Sequence, residues 1–171
     1  MPTAFTKSAS DVKAIKQTII NYLKDLAVKK GIVANRDDAI VRDIQPDLDL
    51  GFPTASWSES LTANTWNTIY NAQVPAKKLF VFYGVENTAT SPLSTAIAFK
   101  VGVGGAKVKD IEEIEPMYAQ AYKKEAIFTN PILYENNQYM VIQVYAKETG
   151  TDNLILKGYV VEPKGETISP D

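Results

Sequence analysis

A chain of 171 residues with 45% hydrophobic and 22% charged residues has an ordinary globular composition, enough for one domain or one domain with an appendage. Its 18 basic and 20 acidic residues leave a net charge of −2, which argues against a surface built wholly for nucleic acid. Cysteine and histidine are absent, which excludes Ser-His-Asp hydrolysis, thiol nucleophiles, Cys or His zinc sites and histidine proton shuttling; no motif implies a cofactor.

The opening Met1-Pro2-Thr3-Ala4-Phe5-Thr6-Lys7 lacks the apolar core of a secretory signal, and no window approaches the ~20 apolar residues that cross a bilayer. Both features predict synthesis in a cytoplasm without membrane insertion. Residues 8–30 predict an amphipathic helix, with Ser8 or Ser10 as cap and Asp11 in the first turn. Val12, Ile15, Ile19, Tyr22, Leu23 and Leu26 recur at three- and four-residue spacings on one face, and Gly31 supplies a left-handed stop.

Beyond Gly31, residues 39–44 predict a short strand and 47–61 a Pro-, Gly- and Ser-punctuated loop. Strands follow at 65–71, 78–85, 95–101, 127–134 (broken or edge, because of Pro131), 138–147 and 154–162. Asn136-Asn137 and Gly150-Thr151-Asp152-Asn153 carry hairpin signals, and residues 101–106 a glycine-rich turn. In 110–124, Ile111, Ile114, Tyr118 and Tyr122 have near-helical spacing, read as a short helix or an ordered crossover. The sum is a mainly β fold: a β-sandwich or jelly roll of about seven strands, with a helical arm at 1–31, the sandwich at 32–163 and a loose tail at 164–171.

The strand at 78–85 is apolar on both sides. Leu79, Val81, Tyr83 and Val85 point one way by alternation, Phe80 and Phe82 the other. A sandwich covers one face of each sheet, so the second face needs the N-terminal helix, the 110–124 segment or another subunit. This predicts an oligomer or assembly component, with Ile15, Ile19, Tyr22, Leu26, Phe80 and Phe82 as partner-contact residues.

The polar constellations are weaker guides. Asp47 and Asp49 could offer oxygens to a hard cation, but the remaining ligands of a calcium loop are missing, and a polar turn is the plainer reading. Asp110, Glu112, Glu113 and Glu115 could hold a carboxylate pair, yet neighbouring residues seldom face each other across a cleft, so a solvated or partner-binding face is expected. Through Gly31 the six lysines outnumber two aspartates, but they are spread around the helix axis. Of the many aromatics, Trp57 and Trp66 are the candidates for stacking on a sugar ring.

The stretch Trp66-Asn67-Thr68-Ile69-Tyr70, followed by Val74-Pro75-Ala76-Lys77-Lys78-Leu79-Phe80-Val81-Phe82-Tyr83-Gly84-Val85, together with Asn130-Pro131-Ile132-Leu133-Tyr134 and Gly158-Tyr159-Val160-Val161-Glu162-Pro163, resembles the small β-sandwich and jelly-roll structural proteins of phage and archaeal-virus virions. The resemblance covers residues 65–163 and lies in strand texture, so it carries over no functional residue. It implies a non-enzymatic capsid, decoration or minor capsid protein, located in a virion, whose partners are itself or other structural subunits. The alternative is a carbohydrate-binding sandwich module.

Overall fold

The computed structural model describes residues 9–51, 57–115 and 125–165. Ser8 and residues 116–124, with Tyr118 and Tyr122, lie outside them, as does most of the expected tail. Helix α1 (Ala9–Lys29) ends as the sequence dictates: Gly31 adopts φ 73°, its N–H reaches Val28 O (3.1 Å), and Ile32 N–H reaches Ala27 O (2.9 Å). Strand β1 (Ala39–Asp43) and the one-turn helix α2 (Pro46–Asp49) follow, then β2 (Trp57–Leu61), β3 (Trp66–Gln73), β4 (Leu79–Asn87), β5 (Ser94–Val101), β6 (Lys107–Glu113), β7 (Glu125–Tyr134), β8 (Tyr139–Ala146) and β9 (Gly150–Pro163).

Two antiparallel sheets face each other as a β-sandwich. Sheet A runs β1-β9-β4-β7, with β2 pairing β9 beside its first residues, and sheet B runs β3-β8-β5-β6. Among the described residues there are nine strands rather than about seven. The unexpected β2 is polar, and it is held by its register against Leu154–Gly150 rather than by its own propensity. Residues 110–113 belong to strand β6, not to a helix: pairing Ala96–Phe99 with Glu113–Asp110 overrides the isoleucine spacing. Likewise 150–153 opens β9, so the bend falls at 147–149, and it joins β8 of sheet B to β9 of sheet A instead of making the expected hairpin. The expected Asn136-Asn137 turn is present, with Asn137 at φ 69°, but it carries the chain from β7 of sheet A to β8 of sheet B, so the expected hairpin is not formed.

The inter-sheet core gathers Phe80, Phe82, Val85, Ile97, Phe99, Phe128, Tyr134, Met140, Ile142, Val144, Leu154 and Val160. A second core lies on the outer side of sheet A, where Ile19, Leu23, Leu26 and Ala27 of α1 close over Leu79, Val81, Tyr83, Tyr159 and Val161. The helix is therefore the missing cover, and it lies on the sheet instead of projecting as an arm. The alternation within β4 also changes midway. A bulge between Phe82 and Gly84 shifts the register, so Val85 joins Phe80 and Phe82 inside the sandwich while Tyr83 stays under the helix.

Four of the expected partner contacts are thereby corrected. Phe80 and Phe82 are buried between the sheets, and Ile19 and Leu26 are buried between α1 and sheet A, so all four are engaged within the chain, although Ile19 also lines a recess beside Tyr22. Ile15 packs at the margin of the second core, and Tyr22 is 52% exposed. Tyr22 lies just outside the buried arc set by Ile19, Leu23 and Leu26.

Gly158 sits opposite Phe82 at the bulge, and a Cβ there would overlap the Val81 carbonyl oxygen and lie 2.8 Å from Ile44 Cδ1. Gly158→Ala is expected to cost roughly 2–3 kcal/mol through forced displacement of β4 from β9. Urea denaturation should show a lowered midpoint; an unchanged midpoint would mean that β4 and β9 do not approach this closely.

Candidate functional site

Helix α1 covers the β1, β9 and β4 part of sheet A and leaves an apolar recess toward β7 lined by Thr18, Ile19, Tyr22, Val81, Pro131 and Leu133, whereas over the outer side of sheet B the described residues lay no second layer. Residues directly opposite in an antiparallel ladder share a face, so the register defines its rows. Trp66, Tyr145, Ala96 and Glu113 form one row; Thr68, Gln143, Ala98 and Ile111 the next; Asn71, Val141, Lys100 and Val108 the third. Trp66, 36% exposed, meets Tyr145 edge-on at 5.5 Å between ring centroids and 69° between planes. Gln143 Nε2 donates to Thr68 Oγ1 at 3.0 Å, stiffening the centre. At the far edge Ile111 and Val108 are 49% and 54% exposed, unusual for large apolar residues within a strand.

Beside the Trp66–Tyr145 pair a shallow recess of about 390 Å³ is lined by Thr95, Ala96, Glu113, Glu115 and Tyr145. Glu115 is bound by Lys147 Nζ at 2.7 Å, and the carboxylate raises the affinity of that lysine for its proton. The acidic run at 110–115 is thus divided by the strand: Glu113 and Glu115 are exposed, Glu112 is buried and Asp110 half-buried. The expected solvated or partner-binding face is thus carried by Glu113 and Glu115, not by Glu112.

Trp57 stands in β2 opposite Leu154, and its side chain lies outside the described residues. Of the two expected stacking residues, the structure therefore places Trp66 alone on an open face. The neighbouring Tyr145 and Gln143 carried one signal in the sequence, the alternation in 139–146 that puts Met140, Ile142 and Val144 inward and Tyr145 outward, whereas Thr68 on β3 joins them only through register.

The remaining charged clusters are internal clamps. Arg42 grips Asp49 with two nitrogens (2.8 and 2.9 Å) and Glu162 through Nε (2.9 Å), which ties α2 to β1 and β9. Its pKa rises well above the ordinary value, chiefly from the Asp49 hydrogen bond. Asp49, whose side chain has no exposed surface, is therefore neutralised by a guanidinium and is not a cation ligand; among the described residues no group of three or more carboxylates could hold a metal. Lys78 beside this cluster loses its proton more readily than usual because burial outweighs the carboxylates.

Asp152 is completely buried and receives Asn87 Nδ2 (2.9 and 3.0 Å), Ser94 Oγ (2.6 Å), and the N–H groups of Leu93 (3.2 Å), Ser94 (2.9 Å) and Asn153 (3.0 Å). It pins the turn between β4 and β5 to the start of β9.

Asp152→Ala is expected to destabilise by about 3 kcal/mol or more, because the donors left in the cradle lose both partner and solvent. Thermal melting with Asp152→Asn as the shape-matched comparison measures it; equal melting of Ala variant and wild type would contradict the cradle. Burial raises the pKa values of Tyr134, Tyr70 and Tyr159 above their ordinary 10.0. A phenol with a raised folded-state pKa stabilises the fold below pH 10.0 and progressively loses that contribution above it. Stability should therefore be flat with respect to these groups up to that pH and fall beyond it, as urea midpoints across the alkaline range would record.

No protein-family model and no curated protein sequence matches the chain. Among solved structures, the chain is similar to a Bacillus endospore appendage described as a disulfide-linked pilus (TM-score 0.38, 8% identity, 74% of this chain and 89% of that one). It is similar also to the C-terminal CBM6 of the laminarinase LamC from Zobellia galactanivorans (TM-score 0.36, 8% identity, 72% and 99%). A third likeness is to VP2 of the infectious bursal disease virus subviral particle (TM-score 0.37, 10% identity), where 77% of this chain spans 34% of the viral one. At these distances the likenesses carry no argument about function.

Proposed function

We propose that this protein is a non-enzymatic structural subunit, a virion component of the capsid, decoration or minor capsid kind, which works by packing against copies of itself or other structural subunits. The observation that supports this reading is the asymmetry of the two sheets. Sheet A carries α1 over β1, β9 and β4, whereas sheet B presents Trp66, Ile111 and Val108 on a strand surface with no second layer among the described residues. A face of paired strands suits another protein surface, since little backbone ordering entropy is lost on contact. The internal use of Arg42, Asp49, Glu162 and Asp152 as clamps also removes several groups that acid–base chemistry would need.

A second reading, a carbohydrate-binding module, draws on the Trp66–Tyr145 pair at the rim of the recess lined by Glu113. Light scattering coupled to size exclusion separates the two. Assembly should grow with protein concentration, and the double change Val108→Glu and Ile111→Glu should shift it at least about tenfold toward monomer, as expected for charges buried in an apolar contact. A monomer at every concentration that also fails to bind purified particles overturns the assembly reading; glycan-array binding lost in Trp66→Ala would install the second.

A further inference from the structure

Along one side of the sandwich β6, an edge of sheet B, comes against β7, an edge of sheet A. Both edges are deformed here. On β6, Phe99 pairs with Asp110 and Lys100 with Val108, so Lys109 is an extra residue with no partner on β5. On β7, Phe82 pairs with Ile132 and Gly84 with Ile127, so Phe128, Thr129, Asn130 and Pro131 stand against Tyr83 alone. Bulges re-aim side chains, and the one at Lys109 breaks the alternation that would send it and Asp110 to opposite faces. Lys109 Nζ consequently lies 5.6 Å from the ring centre of Tyr134, an inter-sheet residue, although its strand neighbours Val108 and Ile111 point outward.

Between the two deformed edges is a cleft of about 380 Å³ lined by Lys109, Asp110, Asn130, Pro131, Ile132 and Leu133. Asp110 lines the cleft; its Oδ2 is shut off from the surface without a hydrogen-bond partner among the described residues, as are Gln143 Oε1 and Glu162 Oε2 elsewhere, so a molecule in the cleft would meet the remaining part of the Asp110 carboxylate. A carboxylate at a cleft wall favours a donor. The lining narrows what the donor can be. A hard cation needs several oxygens, and the Lys109 ammonium beside the single carboxylate repels it. An anion is repelled by Asp110. A neutral molecule with adjacent hydroxyls satisfies every group: one hydroxyl donates to Asp110, another accepts from Lys109 or Asn130, and a C–H face rests on Pro131 and Leu133.

We propose that this lateral cleft binds a carbohydrate, about one or two sugar rings in size, with Asp110 as the acceptor, Lys109 and Asn130 as donors and Pro131 and Leu133 as the apolar floor. The site shares no residue with the Trp66–Tyr145 face and does not depend on the assembly reading.

The test is amide NMR on the full chain, titrated with glucose, galactose, mannose, xylose and their β-linked disaccharides. Saturable shifts at Lys109, Asp110 and Asn130 are expected, with affinity weakened roughly tenfold or more in Asp110→Ala, the loss of one hydrogen bond to a charged group. Asn130 is exposed, so Asn130→Ala should weaken binding while leaving the melting temperature in place, which keeps the test decisive if the Asp110 variant does not fold. Absence of shifts with every sugar overturns the proposal. So does binding that survives both substitutions, or binding abolished by Trp66→Ala with the cleft variants unaffected.

Discussion

Strand β4 imposes the condition that the rest of the molecule meets. Every residue from Leu79 to Val85 is buried, so the strand needs an apolar layer on each side. Sheet B supplies one through Phe99, Ile142 and their neighbours, and α1 supplies the other through Ile19, Leu23, Leu26 and Ala27. The result is a three-layer stack, helix on sheet on sheet, in one chain. A helix this short of intrinsic stability holds its shape because its apolar arc is engaged. The sheet in turn stays closed to other chains because the helix lies on it. The two conditions are reciprocal, and they transfer any assembly role from sheet A to the outer side of sheet B.

The bulge at Tyr83 adjusts this arrangement. Without the extra residue, Val85 would continue the phase of Val81 and face the helix; with it, Val85 enters the sandwich. The same irregularity brings the β4 and β9 backbones close enough that position 158 admits only glycine. It extends to the partner on the other side, where β7 loops out at 128–131 and still sends Phe128 back to meet Phe99 at 5.4 Å. One local irregularity thus connects the helix-bearing face, the close approach at Gly158 and the shape of the β7 edge.

Much of the architecture was legible in the sequence because its signals are local. Apolar spacing with Gly31 defined α1, and continuous apolar runs defined β4 and β8. What escaped was non-local. Strand β2 exists through its pairing with β9, and β6 through its pairing with β5, although Ile111 and Ile114 recur at a helical interval; tertiary pairing overrides propensity in both. The two-sided apolar pattern of β4 was read correctly as needing cover, but a pattern does not say whose atoms provide it. Phe80, Phe82, Ile19 and Leu26 therefore looked like contacts between chains and are contacts within one. The open face was half legible: Trp66 stood out by type, whereas Tyr145, Ile111 and Val108 acquire meaning only from register.

The charged residues separate the molecule into closed and open regions. Arg42 with Asp49 and Glu162 anchors β1, α2 and β9 together, and Asp152 anchors the β4–β5 turn to the start of β9; each carboxylate is largely or wholly removed from water and bonded to donors in the chain. Such sites specify geometry and have little capacity left for an external molecule. Asp110 Oδ2, like Glu162 Oε2, is buried without a hydrogen-bond partner among the described residues, but Asp110 sits on an edge strand at the wall of a cleft, and the bulge beside it turns the Lys109 ammonium toward Tyr134. An edge strand guarded by Lys107, Lys109, Glu112 and Glu113 is poorly suited to pairing with a further strand, because charged side chains discourage edge-to-edge association. The cleft between β6 and β7 and the broad face of sheet B are separate surfaces, so the two proposed roles do not compete for the same residues.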